Sequence, residues 1–402
     1  MSRSVWKIEV DVEGRLVLPP EARSALGLSP GDRLVGEWQD THLSLRRSLQ
    51  SLQRIYIEPT SLCNLDCTTC MRNVWDESGG MMPERVFERI LEGMVQFQPR
   101  PAVFFGGFGE PLFHPRILDM IRQVKDLGGA VEMITNAVLL TEEVAAELIN
   151  LKLERLWFSL DGASPESYED VRLGAALPGV LANLERLAAL KESASSRQPE
   201  LGLAFVAMRR NIADLPAVLR IGERLGVRRV SISHVLAHTS ELNDERLYTR
   251  RMYSAGGPEI SLPHMDWTPQ TTPVLAEILD GMRPPASSRV CPFIEKGSTA
   301  IRWDGSVSPC LPLLHDHSAY LGEHVRRSKA FSCGSVLDHS LPEIWADPAY
   351  AALRERLQIF DFSPCVVCNS CDMPYANEED CFGNIHPVCG GCLWATGLIQ
   401  CP

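Results

Sequence analysis

The chain has 402 residues, 45% hydrophobic and 22% charged, with a formal net charge of −12 at pH 7. That composition supports a sizeable core and two or three domains, excludes a disordered chain or a small disulfide scaffold, and disfavours a protein whose whole surface grips phosphates. No apolar run approaches the roughly 18 residues of a bilayer span, and the opening MSRSVWKIEV carries charge where a signal peptide is apolar, so the sequence predicts a soluble cytoplasmic protein with no membrane partner.

In chain order, residues 6–47 read as short strands around a turn and a short helix. Apolar residues alternate at Ile8, Val10 and Val12, then Leu16 and Leu18; Pro20 stands where a helix would begin and Gly27 just past its end. The phrases GRLVLPPEAR and LGLSPGDRL resemble the AbrB-type swapped-hairpin module, so residues 1–50 are expected to form such a module. The resemblance implies a dimeric β-barrel and DNA binding, with Arg15 and Arg23 at the positions of DNA-facing arginines. Residues 1–50 hold seven basic and seven acidic side chains, a balance that favours dimerisation or docking over a grip on phosphate.

From 51 to 235 apolar strands alternate with amphipathic helices. The strands are expected at 55–58, 102–106, 130–135, 155–160, 201–208 and 229–233, and Val86, Ile90, Met94 and Phe97 recur at helical spacing between the first two. Six strand-helix units predict an α/β fold, a partial (β/α)6 barrel with its site at the carboxyl ends of a parallel sheet. Residues 236–290, rich in Pro, Gly, Ser and His without a period, read as a connecting segment, and 291–402 as a cysteine-rich, loop-like domain.

The thirteen cysteines are placed unevenly: three between Cys63 and Cys70, ten between Cys291 and Cys401, and none in the 220 residues between Met71 and Val290. Disulfides added for general stability would not leave such a gap, whereas two metal zones in a reducing compartment would. Cys63, Cys67 and Cys70 form C-x3-C-x2-C on the loop after the first barrel strand. Three thiolates around a four-iron cluster leave one iron open to chelate a small molecule; a structural zinc would recruit a fourth ligand and close. Zinc or unligated thiols are the alternative.

This triplet after a first strand resembles the signature of the radical S-adenosylmethionine (SAM) superfamily. In order follow GGFGEP (106–111), Thr135-Asn136 and SLDG (159–162), each at a strand's carboxyl end. Phe108 and Gly109 enlarge the family's GGEP, and Ala137 replaces the glycine of its TNG. The resemblance implies that Gly106, Gly107, Gly109 and Glu110 hold the amino group of SAM, that Ser159 and Asp161 lie near its ribose or carboxylate, and that Asn136 contributes. It also implies reductive cleavage of SAM to methionine and a 5'-deoxyadenosyl radical, with electrons from a donor such as ferredoxin or flavodoxin.

In the C-terminal zone, Cys291, thirteen residues, Gly305, four residues and Cys310 resemble the opening of the SPASM extension, which implies auxiliary iron-sulfur clusters. The remaining cysteines are Cys333, Cys365, Cys368, Cys371, Cys381, Cys389, Cys392 and Cys401; two four-iron clusters need about eight thiolates, so two of the ten are spare, Cys333 the readiest. The second possibility is a zinc ribbon from the 365–371 and 389–392 cysteines. His315, His317 and His386 are expected to be solvated loop residues. EPTSLCNLDCTTCMRN and CGGCLWATGLIQCP resemble the radical SAM maturases associated with tungsten-cofactor oxidoreductases, which implies a protein or protein-bound cofactor as substrate. A SPASM maturase of a peptide or sulfatase, and an iron-sulfur redox-sensing DNA-binding regulator, are the other functions compatible with these features.

Overall fold

The computed structural model describes residues 7–25, 28, 34–39, 42–47, 51–248, 291–321, 324–366, 368 and 370–402. The expected connecting segment, 236–290, lies outside the described residues from 249 onward.

At the start, β1 (Glu9–Val10) and β2 (Leu16–Val17) form an antiparallel hairpin. Asp11 makes the turn by accepting from the backbone N–H of Glu13 and Arg15 at 3.0 and 2.8 Å, the side-chain-to-backbone bond that suits Asp to turns. A short helix, α1 (Pro20–Ala25), starts at proline as expected, and β3 (Leu34–Gln39) pairs antiparallel with β4 (His42–Arg47). Among the described residues the hairpins form separate two-stranded sheets and no closed barrel. A barrel shared between two chains cannot close within one.

All six expected barrel strands are present: β5 (Arg54–Ile57), β6 (Ala102–Phe105), β7 (Val131–Thr135), β8 (Arg155–Ser159), β9 (Glu200–Ala207) and β10 (Arg229–His234), each parallel to its neighbour. Their connections carry α2 (Glu84–Met94), α3 (Ile117–Asp126), α4 (Glu142–Asn150), α5 (Pro165–Glu169), α6 (Leu177–Ser193) and α7 (Leu215–Arg224). In α2 the periodic residues Val86, Ile90 and Met94 are buried against the sheet, while Phe97 falls past the helix end and is half-buried. A further short helix, α8 (Ser240–Asp244), follows β10.

The C-terminal zone is more ordered than the sequence predicts. It contains α9 (Pro292–Glu295), β11 (Ser298–Ile301), β12 (Ser306–Ser308), the hairpin β13 (His317–Leu321) and β14 (His324–Ser328), β15 (Gly334–Ser335), α10 (Leu341–Ala346) and α11 (Pro348–Ile359). β11 lies parallel to β5, pairing Ser298 with Arg54 through Ile301 with Ile57, so one nine-stranded sheet runs in the order β10-β9-β8-β7-β6-β5-β11-β12-β15. The expected loop-like domain is thus a continuation of the barrel sheet. Its joining strand is only four residues, STAI, and its partner lies more than 240 positions earlier, a pairing that no local pattern encodes. Gly93 of α2 completes the junction: a Cβ there would stand 2.7 Å from Leu341 Cβ, so glycine lets α10 seat against α2. Among the described residues no helix is long and apolar enough to cross a membrane.

Candidate functional site

Cys63, Cys67 and Cys70 leave the end of β5 on a loop anchored by Thr60, whose hydroxyl donates to Gly80 O (2.8 Å) and accepts from Leu62 N–H (3.0 Å). The three thiols line one cavity of roughly 300 Å3 at the carboxyl ends of the strands, together with Gly107, Gly109, Glu110, Asn136 and Ser159. Donors and cations converge on the sulfurs. Arg72 Nε donates to Cys70 Sγ (3.1 Å), Arg172 Nη1 approaches Cys67 Sγ (3.9 Å), and Leu65 N–H and Asn136 Nδ2 approach Cys63 Sγ (3.4 and 3.7 Å). Burial pushes the thiols of Cys63 and Cys67 up; the Leu65 N–H and Arg72 at Cys63, and Arg172 at Cys67, pull them back. Two guanidiniums beside three sulfurs suit thiolates held by a positively charged iron-sulfur core. Among the described residues no group of three or more His, Cys, Asp or Glu side chains is arranged around a single metal ion; what marks these thiols is the charge gathered around them.

The glycine motif after β6 is packed against the cysteine loop. A Cβ on Gly109 would lie 2.1 Å from Thr60 O and 2.6 Å from Leu62 O; one on Gly107, where φ is +123°, would meet the side chain of Glu58 at 2.8 Å. Loop-to-loop approach therefore demands these glycines, before any ligand does. Glu110 is 3% exposed and accepts from Leu112 N–H (3.0 Å), Thr135 Oγ1 (2.7 Å) and Asn136 N–H (2.7 Å), so it ties the ends of β6 and β7 together. Burial pushes its carboxyl up, and these three hydrogen bonds oppose the rise. Ala137, in the place of the family's glycine, adopts the left-handed φ of 61° that the glycine would take.

Two expected SAM contacts are not in the cavity wall. Gly106 is buried against Phe104 and Ile134, where a Cβ would come within 2.4 and 3.0 Å. Asp161 is fully buried, accepts from Val206 N–H at 2.7 Å and pairs with Arg172 at 2.6 Å. In this arrangement it orients Arg172, whose guanidinium lines the cavity.

Sequence reading missed Arg72, Arg172, His234, Trp394 and Gln400, all in the same wall. A signal existed for two of them: Arg72 follows the last cysteine by two residues, and His234 ends the sixth barrel strand. His234 is 3% exposed, neither ring nitrogen has a hydrogen-bond partner among the described residues, and burial pulls it down to about 4.

The C-terminal cysteines fall into groups. Cys310, Cys389 and Cys392 line a second cavity, and Cys291 lies within electrostatic range of Cys310 and Cys392. Leu236 and Trp394 line both cavities and separate them. Cys365 is in range of Cys381, while Cys371 and Cys381 are exposed. Cys333 lies beside Arg354 and Asp347, and burial pushes it up to about 12; Cys401 accepts from Trp394 Nε1 at 3.3 Å.

The histidine expectation is corrected for two of the three. His315 is 1% exposed, with Nε2 at 2.8 Å from Glu58 and Nδ1 against Glu77, and its ring stacks on Trp75 at 4.0 Å. His317 is also buried, with Nδ1 at 3.1 Å from His315 O, whereas His386 is half-buried between Asn377 O and Ala330 O. All three have protein partners: His315 reaches the barrel at Glu58, while His317 and His386 are held by backbone carbonyls of the C-terminal region.

The Radical SAM superfamily model matches residues 57–195, and the SPASM model, described as an iron-sulfur cluster-binding domain, matches residues 291–372. The chain is 32% identical over 366 residues to the tungsten-containing aldehyde ferredoxin oxidoreductase cofactor-modifying protein of Pyrococcus furiosus, covering 87% of this chain and 97% of that protein. It is 22% identical to the Fe-coproporphyrin III synthase of Methanosarcina barkeri over 82% of this chain and 86% of that one. Among solved structures, Streptococcus suis SuiB bound to S-adenosylmethionine superposes with a TM-score of 0.53 at 15% identity, covering 80% of this chain and 71% of that chain, a likeness of fold. With a cysteine triplet at the strand ends, a continuous barrel sheet and this span of similarity, the chain belongs to the radical SAM/SPASM maturases, enzymes that use a reductant, a four-iron cluster, SAM and auxiliary iron-sulfur clusters.

Proposed function

We propose that this enzyme modifies the cofactor of a tungsten-containing aldehyde ferredoxin oxidoreductase, acting on the partner protein or its pterin-tungsten cofactor in the cytoplasm, with ferredoxin or flavodoxin as electron donor. The observation that carries this reading is similarity at 32% identity sustained over 97% of the Pyrococcus protein of that description.

On this reading Cys63, Cys67 and Cys70 hold the SAM-binding cluster, and Gly107, Gly109, Glu110, Asn136 and Ser159 border SAM. When bound, the cluster and SAM supply a carbon-centred radical able to remove hydrogen from an unactivated position. The chain's own work is placement. Arg72 and Arg172 offset thiolate charge, Glu110 fixes the ends of β6 and β7, and Trp394 and Gln400 line the cavity, limiting access for water and stray hydrogen donors. Cys291, Cys310, Cys389 and Cys392 are assigned to one auxiliary four-iron cluster and Cys365, Cys368, Cys371 and Cys381 to a second, leaving Cys333 and Cys401 spare.

The domain limits are 1–50, 51–235, 236–290 and 291–402. The first is proposed as an AbrB-like homodimerisation module, because Val10 is 65% and Val12 99% exposed on a hairpin that a second copy would cover. A DNA-binding role is less favoured, since Arg15 is already engaged by Asp11 at 3.5 Å and Glu13 at 3.1 Å.

Anaerobic co-expression with a tungsten oxidoreductase, followed by mass spectrometry of its extracted cofactor, tests the reading. The expected result is a mass change that depends on this enzyme and on Cys70. An unchanged oxidoreductase beside a modified small peptide or sulfatase would move the function to the peptide or sulfatase maturases.

A further inference from the structure

Arg326 lies in the middle of β14, 6% exposed, inside the wall of the cavity that Cys310, Cys389 and Cys392 line. Its Nη1 donates to Pro374 O at 2.7 Å and its Nη2 to Val388 O at 2.9 Å. Among the described residues no carboxylate pairs with it. The thiols of Cys392 and Cys389, from the group lining this cavity, and of Cys365, from the other C-terminal group, act on it, and its charge acts in turn on the ring of His317, which burial and this cation both pull down. The turn between Cys389 and Cys392 is shaped around the guanidinium: a Cβ on Gly391 would stand 2.8 Å from its Cζ and Nη1 and 3.0 Å from its Nε.

A buried cation held only by carbonyl dipoles is costly, because the free energy lost on leaving water is not returned without an opposite charge. Protonated thiols cannot provide one. Thiolates bound to iron can, and they would be the missing anions on both sides of this side chain.

We propose that Arg326 is the counter-charge of the auxiliary iron-sulfur clusters, a cation set between the Cys365 group and the Cys389–Cys392 pair that stabilises their reduced, more negative state. This rests on the assignment of the C-terminal cysteines to clusters. A fixed positive charge favours uptake of an electron, so removing it lowers the reduction potential. It also ties β14, Pro374 and Val388 to cluster loading, because the guanidinium acquires its anions only when metal binds.

The test uses the full-length protein reconstituted anaerobically with iron and sulfide, comparing wild type, Arg326→Gln and Arg326→Lys by iron content and by redox titration followed with EPR. Arg326→Gln should lower the reduced-to-oxidised ratio of the auxiliary clusters at fixed potential about tenfold, roughly 59 mV for one electron, while Arg326→Lys stays closer to wild type. The SAM-binding cluster, in the same sample, should not move. Fully loaded Arg326→Gln with unchanged auxiliary potentials would overturn the proposal. If Arg326→Gln loads poorly, iron content restored by Arg326→Lys supports the charge role; a lysine variant as empty as the glutamine one shows that the guanidinium only braces two carbonyls. Wild type holding just four irons would sink the cluster assignment itself, a different failure from the others.

Discussion

At the scale of single residues, Ala137 carries a conformation that its Cβ opposes. It lies fully buried at a φ of 61°, with its N–H bonded to Thr135 Oγ1 at 3.0 Å and its carbonyl accepting from Asn183 Nδ2 at 3.0 Å, so its surroundings hold it there. A left-handed residue with a side chain costs about 1 kcal/mol. Ala137→Gly should therefore raise stability by up to about 1 kcal/mol, less whatever glycine loses through its freer unfolded chain, and a denaturation midpoint at or below wild type would contradict the strain. His234 gives a second residue-scale prediction. Folded, it is pulled down to about 4 from 6.5, so between those values the unfolded chain binds more protons. Stability then rises with pH across that window and is lost as pH falls through it, by about 3 kcal/mol at most. His234→Phe should flatten the dependence of the denaturant midpoint on pH between 6.5 and 4; an unchanged slope would mean that other histidines pulled down by burial, such as His317 and His114, carry it.

At the scale of elements, the cysteine loop and the glycine motif behave as one packed unit. Gly109→Ala puts a methyl carbon 2.1 Å from Thr60 O, a backbone atom that cannot swing aside, whereas Gly179→Ala, at the start of α6, meets nothing within 4 Å. The first should cost roughly 1–3 kcal/mol and lower iron content and SAM affinity together; the second should leave both intact. Equal iron in the two variants would refute the packing argument. These elements were legible in the sequence where their information is local: an apolar run marks each of β5 to β10, and C-x3-C-x2-C needs only one loop. The motif at Asp161 shows a strand-end acid without showing that Arg172, eleven residues on, pairs with it. The strand-end position of His234 is legible, but its lack of a hydrogen-bond partner, like the lack of a carboxylate beside Arg326, is a property of packing that the described residues show and the sequence does not.

At the scale of the whole molecule, the C-terminal region is built into the barrel rather than appended to it, through β11 beside β5 and through the buried ring of His315. The ring reaches from the loop before β13 to Glu58, the residue directly after β5, and Glu58 in turn accepts from Phe108 N–H at 3.2 Å inside the glycine motif. On its other side His315 meets Glu77, which pairs with Arg302 at 2.5 Å. Phe108 and Trp75 close over the ring at centroid distances of 5.6 and 4.0 Å. His315 does not line the cavity of Cys63, Cys67 and Cys70, yet it holds the carboxyl group on which the Gly107 turn rests. Removing it leaves Glu58, fully buried, with one hydrogen-bond partner fewer, at a cost of roughly 1–3 kcal/mol. His315→Ala should therefore lower the melting temperature and weaken SAM binding about tenfold, a loss equivalent to about 1.4 kcal/mol, with His315→Gln recovering part of both through its amide donor. Equilibrium dialysis of SAM against the reconstituted variants measures this directly. A folded, iron-loaded His315→Ala with wild-type affinity would show that the C-terminal region stabilises the barrel without shaping its glycine loop.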